Sequence, residues 1–213
     1  MSGDATETAA RLNALLASLG MEPLAEEVAS RFAAYLALLV RWNARMNLTA
    51  VRDEEGILAR HFVESIACAR ALPPGLGSVL DFGSGAGFPG IPIALCRPEL
   101  KVTLAESQGK KAAFLNEAVR TLGLRAEVHS GRAETLAAGY DCVVLRAVDR
   151  MLDALRSASR LVSPGGLLAP MTTADELERI EAAAGAEFSW LAPVPLPGGA
   201  RRVLALGRRV LPD

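Results

Sequence analysis

An acid and four glycines stand close together in Val79-Leu-Asp81-Phe-Gly83-Ser-Gly85-Ala-Gly87-Phe88-Pro89-Gly90. The apolar run ending at Asp81 reads as a strand. Pro89 and Pro92 suit the first turn of a following helix, where φ is already set and no N–H is missed. Between them, Gly83, Gly85, Gly87 and Gly90 allow positive φ and let a ligand approach the main chain. Such a loop holds a nucleotide-like cofactor. Gly85, Gly87 and Gly90 satisfy G-x-G-x-x-G, which by itself admits a dinucleotide with its pyrophosphate on the helix N-terminus. Asp81 and Phe88 argue otherwise: a carboxylate beside the turn suits a cation, and Phe88 stands where a pyrophosphate wants bare backbone. S-adenosylmethionine carries an ammonium and a sulfonium but no phosphate, and is the cofactor this loop favours.

A second acid agrees. Lys101 to Glu106 reads as the next strand, with Glu106 at its C-terminal tip, where a carboxylate accepts from ribose hydroxyls. That supports an adenosine ligand without choosing between NAD and S-adenosylmethionine.

The elements that position these residues fall into two blocks. The first block, residues 1–77, reads as helical from about residue 5 to 72: one stripe carries Leu12, Leu15, Leu16 and Leu19, another Phe32, Tyr35, Leu36, Leu39 and Val40, and a third helix covers Ile57 to Ala71. The Pro- and Gly-rich stretch Leu72 to Gly77 marks the boundary, and its shortness implies docking rather than tethering. In residues 78–213 the alternation predicts strands at 78–82, 101–106, 125–130, 140–145 and 166–169, with helices at 90–97, 108–122, 149–160 and 173–184. That is an α/β fold with a parallel sheet covered on both faces. Glu187 to Val194 and Arg202 to Leu206 read as a closing strand pair.

Composition narrows the class. With 213 residues, 51% hydrophobic and 22% charged, the chain can bury one sizeable core. No apolar run approaches the ~20 residues a membrane helix needs, and the N-terminal residues lack a signal-peptide pattern, so a cytoplasmic protein is expected. Cys68, Cys96 and Cys142 are few and scattered in apolar contexts, which predicts free buried thiols, and with two histidines no metal site is expected. A net charge of −1 gives no whole-molecule attraction to a polyanion.

The chain resembles the RsmG (GidB) family of 16S ribosomal RNA guanine-N7 methyltransferases. The resemblance rests on Trp42-Asn43, Asn47-Leu48-Thr49-Ala50, Arg60-His61 with Ser65, the glycine loop, Glu106-Ser107, Lys110-Lys111 with Phe114-Leu115, Arg132-Ala133-Glu134, Asp141 with Arg146-Ala147, and Pro164-Gly165-Gly166. It implies a class I S-adenosylmethionine-dependent methyltransferase fold: a Rossmann-like, seven-stranded, mostly parallel sheet with a C-terminal antiparallel hairpin and an N-terminal helical extension. It implies that Gly83 and Phe88 contact the cofactor, Glu106 its ribose, and Ala133 and Glu134 the adenine edge. Arg146 would lie near the methyl donor and target base, and Asn47, His61 and Ser65 would face the target pocket. The partner implied is 16S rRNA or a small-subunit particle, the enzyme acting as a monomer.

Guanine N7 bears a lone pair and no hydrogen, so methylating it needs alignment and no general base. The absence of an Asn/Asp-Pro-Pro-Tyr/Phe motif and of a Pro-Cys nucleophile agrees. Lys110, Lys111, Arg146, Arg150, Arg201, Arg202, Arg208 and Arg209 are candidate RNA contacts, while Trp42 and Phe32 read as core. Two departures from the family pattern stand out: Met171-Thr172 where Lys-Gly is common, and Glu64 where Asp is usual. Alternatives are methylation of another acceptor, or adenosine binding without turnover.

Overall fold

The computed structural model describes residues 2–146, 151–197, 199 and 201–211. Helices α1 (Ser2–Ser18) and α2 (Glu26–Asn43) lead, and the stripe predicted on α2 is the buried one, with Phe32, Tyr35, Leu36 and Leu39 inside. Helix α3 (Glu54–Ile57) is capped by Asp53, whose carboxylate accepts from the Gly56 N–H at 2.7 Å. It runs through a π-helical turn (Leu58–Phe62) into α4 (Val63–Ala71), with the Val63 N–H reaching back to the Leu58 carbonyl.

The sheet is built from β1 (Ser78–Phe82), β2 (Lys101–Ala105), β3 (Ala126–His129), β4 (Tyr140–Arg146), β5 (Val162–Thr173), β6 (Phe188–Trp190), β7 (Val194–Pro195), β8 (Arg202–Leu204) and β9 (Gly207–Arg209). Its order is β3-β2-β1-β4-β5-β8-β7, parallel as far as β5. Strands β8 and β9 run antiparallel along successive parts of β5, and β7 and β6 pair with them in turn. Among the described residues, nine segments therefore fill seven strand positions. The expected closing pair is present, but each arm is broken in two. Strand β5 is longer than the predicted 166–169, because Gly165, at φ +75°, lets it bulge past Pro164 and continue. Helices α5 (Gly90–Cys96), α6 (Gly109–Thr121), α7 (Met151–Ser159) and α8 (Leu177–Ala184) complete the alternation.

Alternation along the strands sorts the core into two layers. Val79, Cys142, Val144, Leu167, Ala169 and Met171 join the cluster that also holds Leu12, Phe32, Phe62 and Phe114. Leu80, Phe82, Val143, Leu145 and Leu168 face α7 and α8 instead. The helical block is thus packed into the same apolar cluster as one face of the sheet. The pleat also decides where polar side chains go: Asp81 and Arg146 lie on the face that carries the helical block. Strand order reverses between β1 and β4, which opens a crevice at the carboxyl ends of the strands.

Candidate functional site

A cleft of about 530 Å³ occupies that crevice. The glycine loop (Gly83 to Ala86 and Phe88) forms one wall, Glu106 to Gln108 with Lys111 another, and Leu48 to Ala50, His61 and Arg146 close it from the helical side.

The loop is shaped by left-handed backbone at Gly83 (φ +75°), Gly85 (+57°) and Gly87 (+93°). Gly87 also has no room to spare, since a Cβ there would come 2.5 Å from Ile91 Cδ1 and 2.8 Å from the Tyr35 hydroxyl. The Gly83 and Ser84 N–H groups both donate to the Ala105 carbonyl, which ties the loop to β2. From the other side the buried Tyr35 hydroxyl donates to the Ala86 carbonyl at 2.5 Å. Phe88 packs among Tyr35, Phe62 and His61, its ring 4.8 Å from the imidazole.

Glu106 sits where the strand-tip argument places it. One carboxylate oxygen accepts from the Gly85 N–H at 2.9 Å and the other from the Gln108 N–H at 2.7 Å. Each oxygen keeps a lone pair for a further donor.

Asp81 does not line the cleft. Its fully buried side chain lies beneath the loop, with Oδ2 accepting from the Gly90 N–H at 2.9 Å and Oδ1 unpartnered. The expectation that this carboxylate meets the cofactor's cation directly is therefore corrected: the strand pleat points it at α5, where it caps the helix and shapes the loop. Burial pushes its carboxyl up to about 7.

His61 is held at both nitrogens. Arg146 Nη2 lies 3.1 Å from Nδ1 and can only donate, so Nδ1 accepts and the proton sits on Nε2, which donates to Thr49 Oγ1 at 2.8 Å. Burial, reinforced by Arg146, lowers its pKa to about 4, which keeps the ring neutral. Arg146 Nη2 also donates to the Arg60 carbonyl at 2.8 Å and pairs with Glu64 at 2.8 Å.

Other expected residues lie elsewhere. Asn47 adjoins the cleft-lining Leu48, but its side-chain oxygen accepts from Arg52 at 2.5 Å. Ser65 is buried with its hydroxyl unpartnered and does not line the cleft. Ala133 and Glu134 form a short 3-10 turn after β3, where Ala133 is buried and Glu134 pairs with Arg132 at 3.0 Å; neither lines the cleft. Arg208 and Arg209 bond to the Gly165 and Val162 carbonyls at the start of β5, at the end of the strands opposite the cleft. Arg150 and Ala147 lie outside the described residues. Trp42 is a packing residue, as expected, edge-on to Phe114 with its N–H on Glu117 at 2.9 Å.

Sequence reasoning assigned no role to Thr49, Tyr35, Gln108 or Glu64. Two of them leave a trace in the pattern, a hydroxyl within the apolar α2 stripe and an acid on the buried side of α4.

Asp81 and His61 give opposite pH dependence. The folded Asp81 binds a proton from about 7 downward, whereas its unfolded counterpart waits until 3.8, so its contribution to stability grows on acidification across that window. His61 resists protonation down to about 4 against 6.5 when unfolded, so its contribution is full above 6.5 and lost as pH falls. Glu106 and Arg146 face Asp81, and Arg146, Arg60 and Arg202 face His61; all are common to both proteins compared. Asp81→Asn should therefore lose about 1.4 kcal/mol of unfolding free energy per pH unit, relative to the parent, on acidification within that window. Denaturant melts at several pH values measure this; a constant offset between the two proteins would show that Asp81 is ionised throughout.

Comparison with known proteins agrees with this architecture. Residues 28–191 match the family described as rRNA small subunit methyltransferase G, GidB. A ribosomal RNA small subunit methyltransferase G from Roseiflexus sp. (strain RS-1) is 42% identical over 199 residues, spanning 85% of this chain and 83% of that protein. One from Stenotrophomonas maltophilia (strain K279a) is 43% identical over 194 residues, 89% of each. Among solved structures, the mitomycin 7-O-methyltransferase MmcR superposes with a TM-score of 0.59 at 16% identity, covering 88% of this chain and 74% of that one. The Aquifex aeolicus tRNA (m1A58) methyltransferase TrmI gives 0.56 at 15% identity, covering 70% and 68%. These structures share the class I methyltransferase fold expected from the sequence. The chain belongs to the rRNA small subunit methyltransferase G (GidB) family.

Proposed function

We propose that this chain transfers a methyl group from S-adenosylmethionine to N7 of a guanosine in 16S rRNA. One observation supports the choice of acceptor: among the described residues, the cleft offers no free general base. Both nitrogens of His61 are engaged, and Glu106 is held by two backbone N–H groups. Hydroxyl and exocyclic-amine acceptors must shed a proton, whereas guanine N7 has none to lose.

The cleft fits the cofactor on its own terms. A Cβ built on Gly85 would meet only the Gly83 carbonyl, at 4.0 Å, so the loop leaves its ligand side open, and Glu106 presents acceptors at a strand tip. Gly83, Gly85 and Phe88 would form the wall along the cofactor, Glu106 would accept from the ribose hydroxyls, and Ala133 and Glu134 would lie beyond the adenine edge. When bound, the cofactor supplies an activated methyl on a sulfonium. His61 stays neutral and braces Arg146; Arg146 and the Thr49 region, with Asn47 at its rim, bound the space for the base. Excluding water from this pocket strengthens each of those hydrogen bonds. Lys111, like Arg146, is a cleft residue suited to an RNA phosphate.

Labelled S-adenosylmethionine should deliver tritium to 16S rRNA or to the small subunit, and digestion should return the label as 7-methylguanosine. Label in another nucleoside would move the acceptor atom. Tight S-adenosylhomocysteine binding without any methylated RNA would replace the proposal with adenosine binding alone.

A further inference from the structure

Three strands and one helix converge on a charge imbalance. Arg146 ends β4 on the face that carries the helical block, its sheet neighbour on β5 is Met171, and Met171 is paired in turn with Leu204 on β8. Arg202, two residues before Leu204, falls on the same face. Glu64 of α4 meets both guanidinium groups through a single oxygen, Oε2, at 2.8 Å from Arg146 and 3.2 Å from Arg202. The side chains are 4% exposed for Glu64, 8% for Arg146 and 27% for Arg202. Among the described residues, two guanidinium groups thus share one carboxylate; Arg60 adds like charge beside Arg146, and Asp81, which also faces Arg146, is drawn toward its neutral form by burial. His61, the next group against Arg146, is neutral and offsets nothing. Among the described residues, Arg146 Nη1 and Arg202 Nε are buried donors without an acceptor. Surplus buried charge and unpaired buried donors are both costly, and both costs are removed by one ligand that brings negative charge and several acceptor atoms.

We propose that Arg146, Arg202 and Glu64 form a seat for a single oxyanion beside the methyl-transfer cleft. The seat itself stands on this geometry; the source of the anion rests on the methyltransferase reading, being either a phosphodiester of the RNA strand or the carboxylate of the cofactor. Glu64 holds the two guanidinium groups together, and the ligand completes the charge balance.

Inorganic phosphate is the first probe. It should raise the Tm of the whole protein above that in chloride of equal ionic strength, and Arg202→Gln should abolish the rise. No phosphate-specific rise, or an equal rise in R202Q, would overturn the seat. The second measurement identifies the source. If the cofactor carboxylate sits there, R202Q should weaken S-adenosylmethionine about tenfold while leaving decarboxylated S-adenosylmethionine unchanged. If an RNA phosphate sits there, R202Q should spare both cofactors and reduce the slope of log K for 16S RNA against log salt by about one. An R202Q protein that matches the parent in both titrations would leave the seat without a physiological anion and overturn the proposal. A parent protein that binds no RNA would remove the RNA reading, while the phosphate melts would still decide the seat.

Discussion

Glu106→Ala should weaken S-adenosylmethionine and S-adenosylhomocysteine by about 10²-fold or more. Hydrogen bonds to a charged, buried partner contribute about 1.5–3 kcal/mol each, and on the proposed reading this carboxylate accepts from two ribose hydroxyls. The same carboxylate receives the Gly85 and Gln108 N–H groups, so alanine also strips two backbone donors that pin the loop and the start of α6. Glu106→Gln keeps the shape and one acceptor oxygen and should fall between the two. Calorimetric titration with S-adenosylhomocysteine measures the effect, and thermal melts separate lost affinity from a collapsed loop. An E106A protein that is folded and binds within about threefold of the parent would end the ribose assignment.

Glu64→Ala should be the most destabilising single change among the charged residues. Removing one partner of a buried ion pair leaves an uncompensated charge and costs about 3–5 kcal/mol, and here two guanidinium groups would lose their shared counterion. Glu64→Gln, which retains an acceptor, should cost less. Replacing Glu64, Arg146 and Arg202 together with apolar residues of similar size should restore much of the loss, because the charges then disappear as a set. Urea denaturation of the three proteins tests this. Equal stability of E64A and the parent would mean that water reaches the cluster freely.

Much of the architecture could be read from periodicity alone. The buried stripe of α2, the parallel strands and the glycine turn each follow from local patterns of apolar residues and of residues that permit unusual φ. Glu106 was readable for the same reason, since a strand's end is a local property. What escaped the reading depends on direction or on distance along the chain. Asp81 was assigned to the ligand because of its place beside the loop, but strand alternation turns its side chain beneath it. The π turn at Leu58–Phe62, which holds His61, leaves no signature in residue type. The Glu64 cluster joins α4, β4 and β8, segments far apart in sequence, so no spacing rule could find it. The split of the closing hairpin likewise comes from how β8 and β9 share β5.

The bond from Tyr35 to Ala86 has a consequence for any attempt to shorten the protein. A chain started at the Pro-Gly stretch before β1 would keep every strand, yet it would lose the ring and hydroxyl that brace the ligand-facing turn from behind. It would also bare Phe88 and Phe114 to water. Such a fragment would be a sheet with an unbraced mouth, and on the proposed reading the front helices serve the cofactor loop as well as the core.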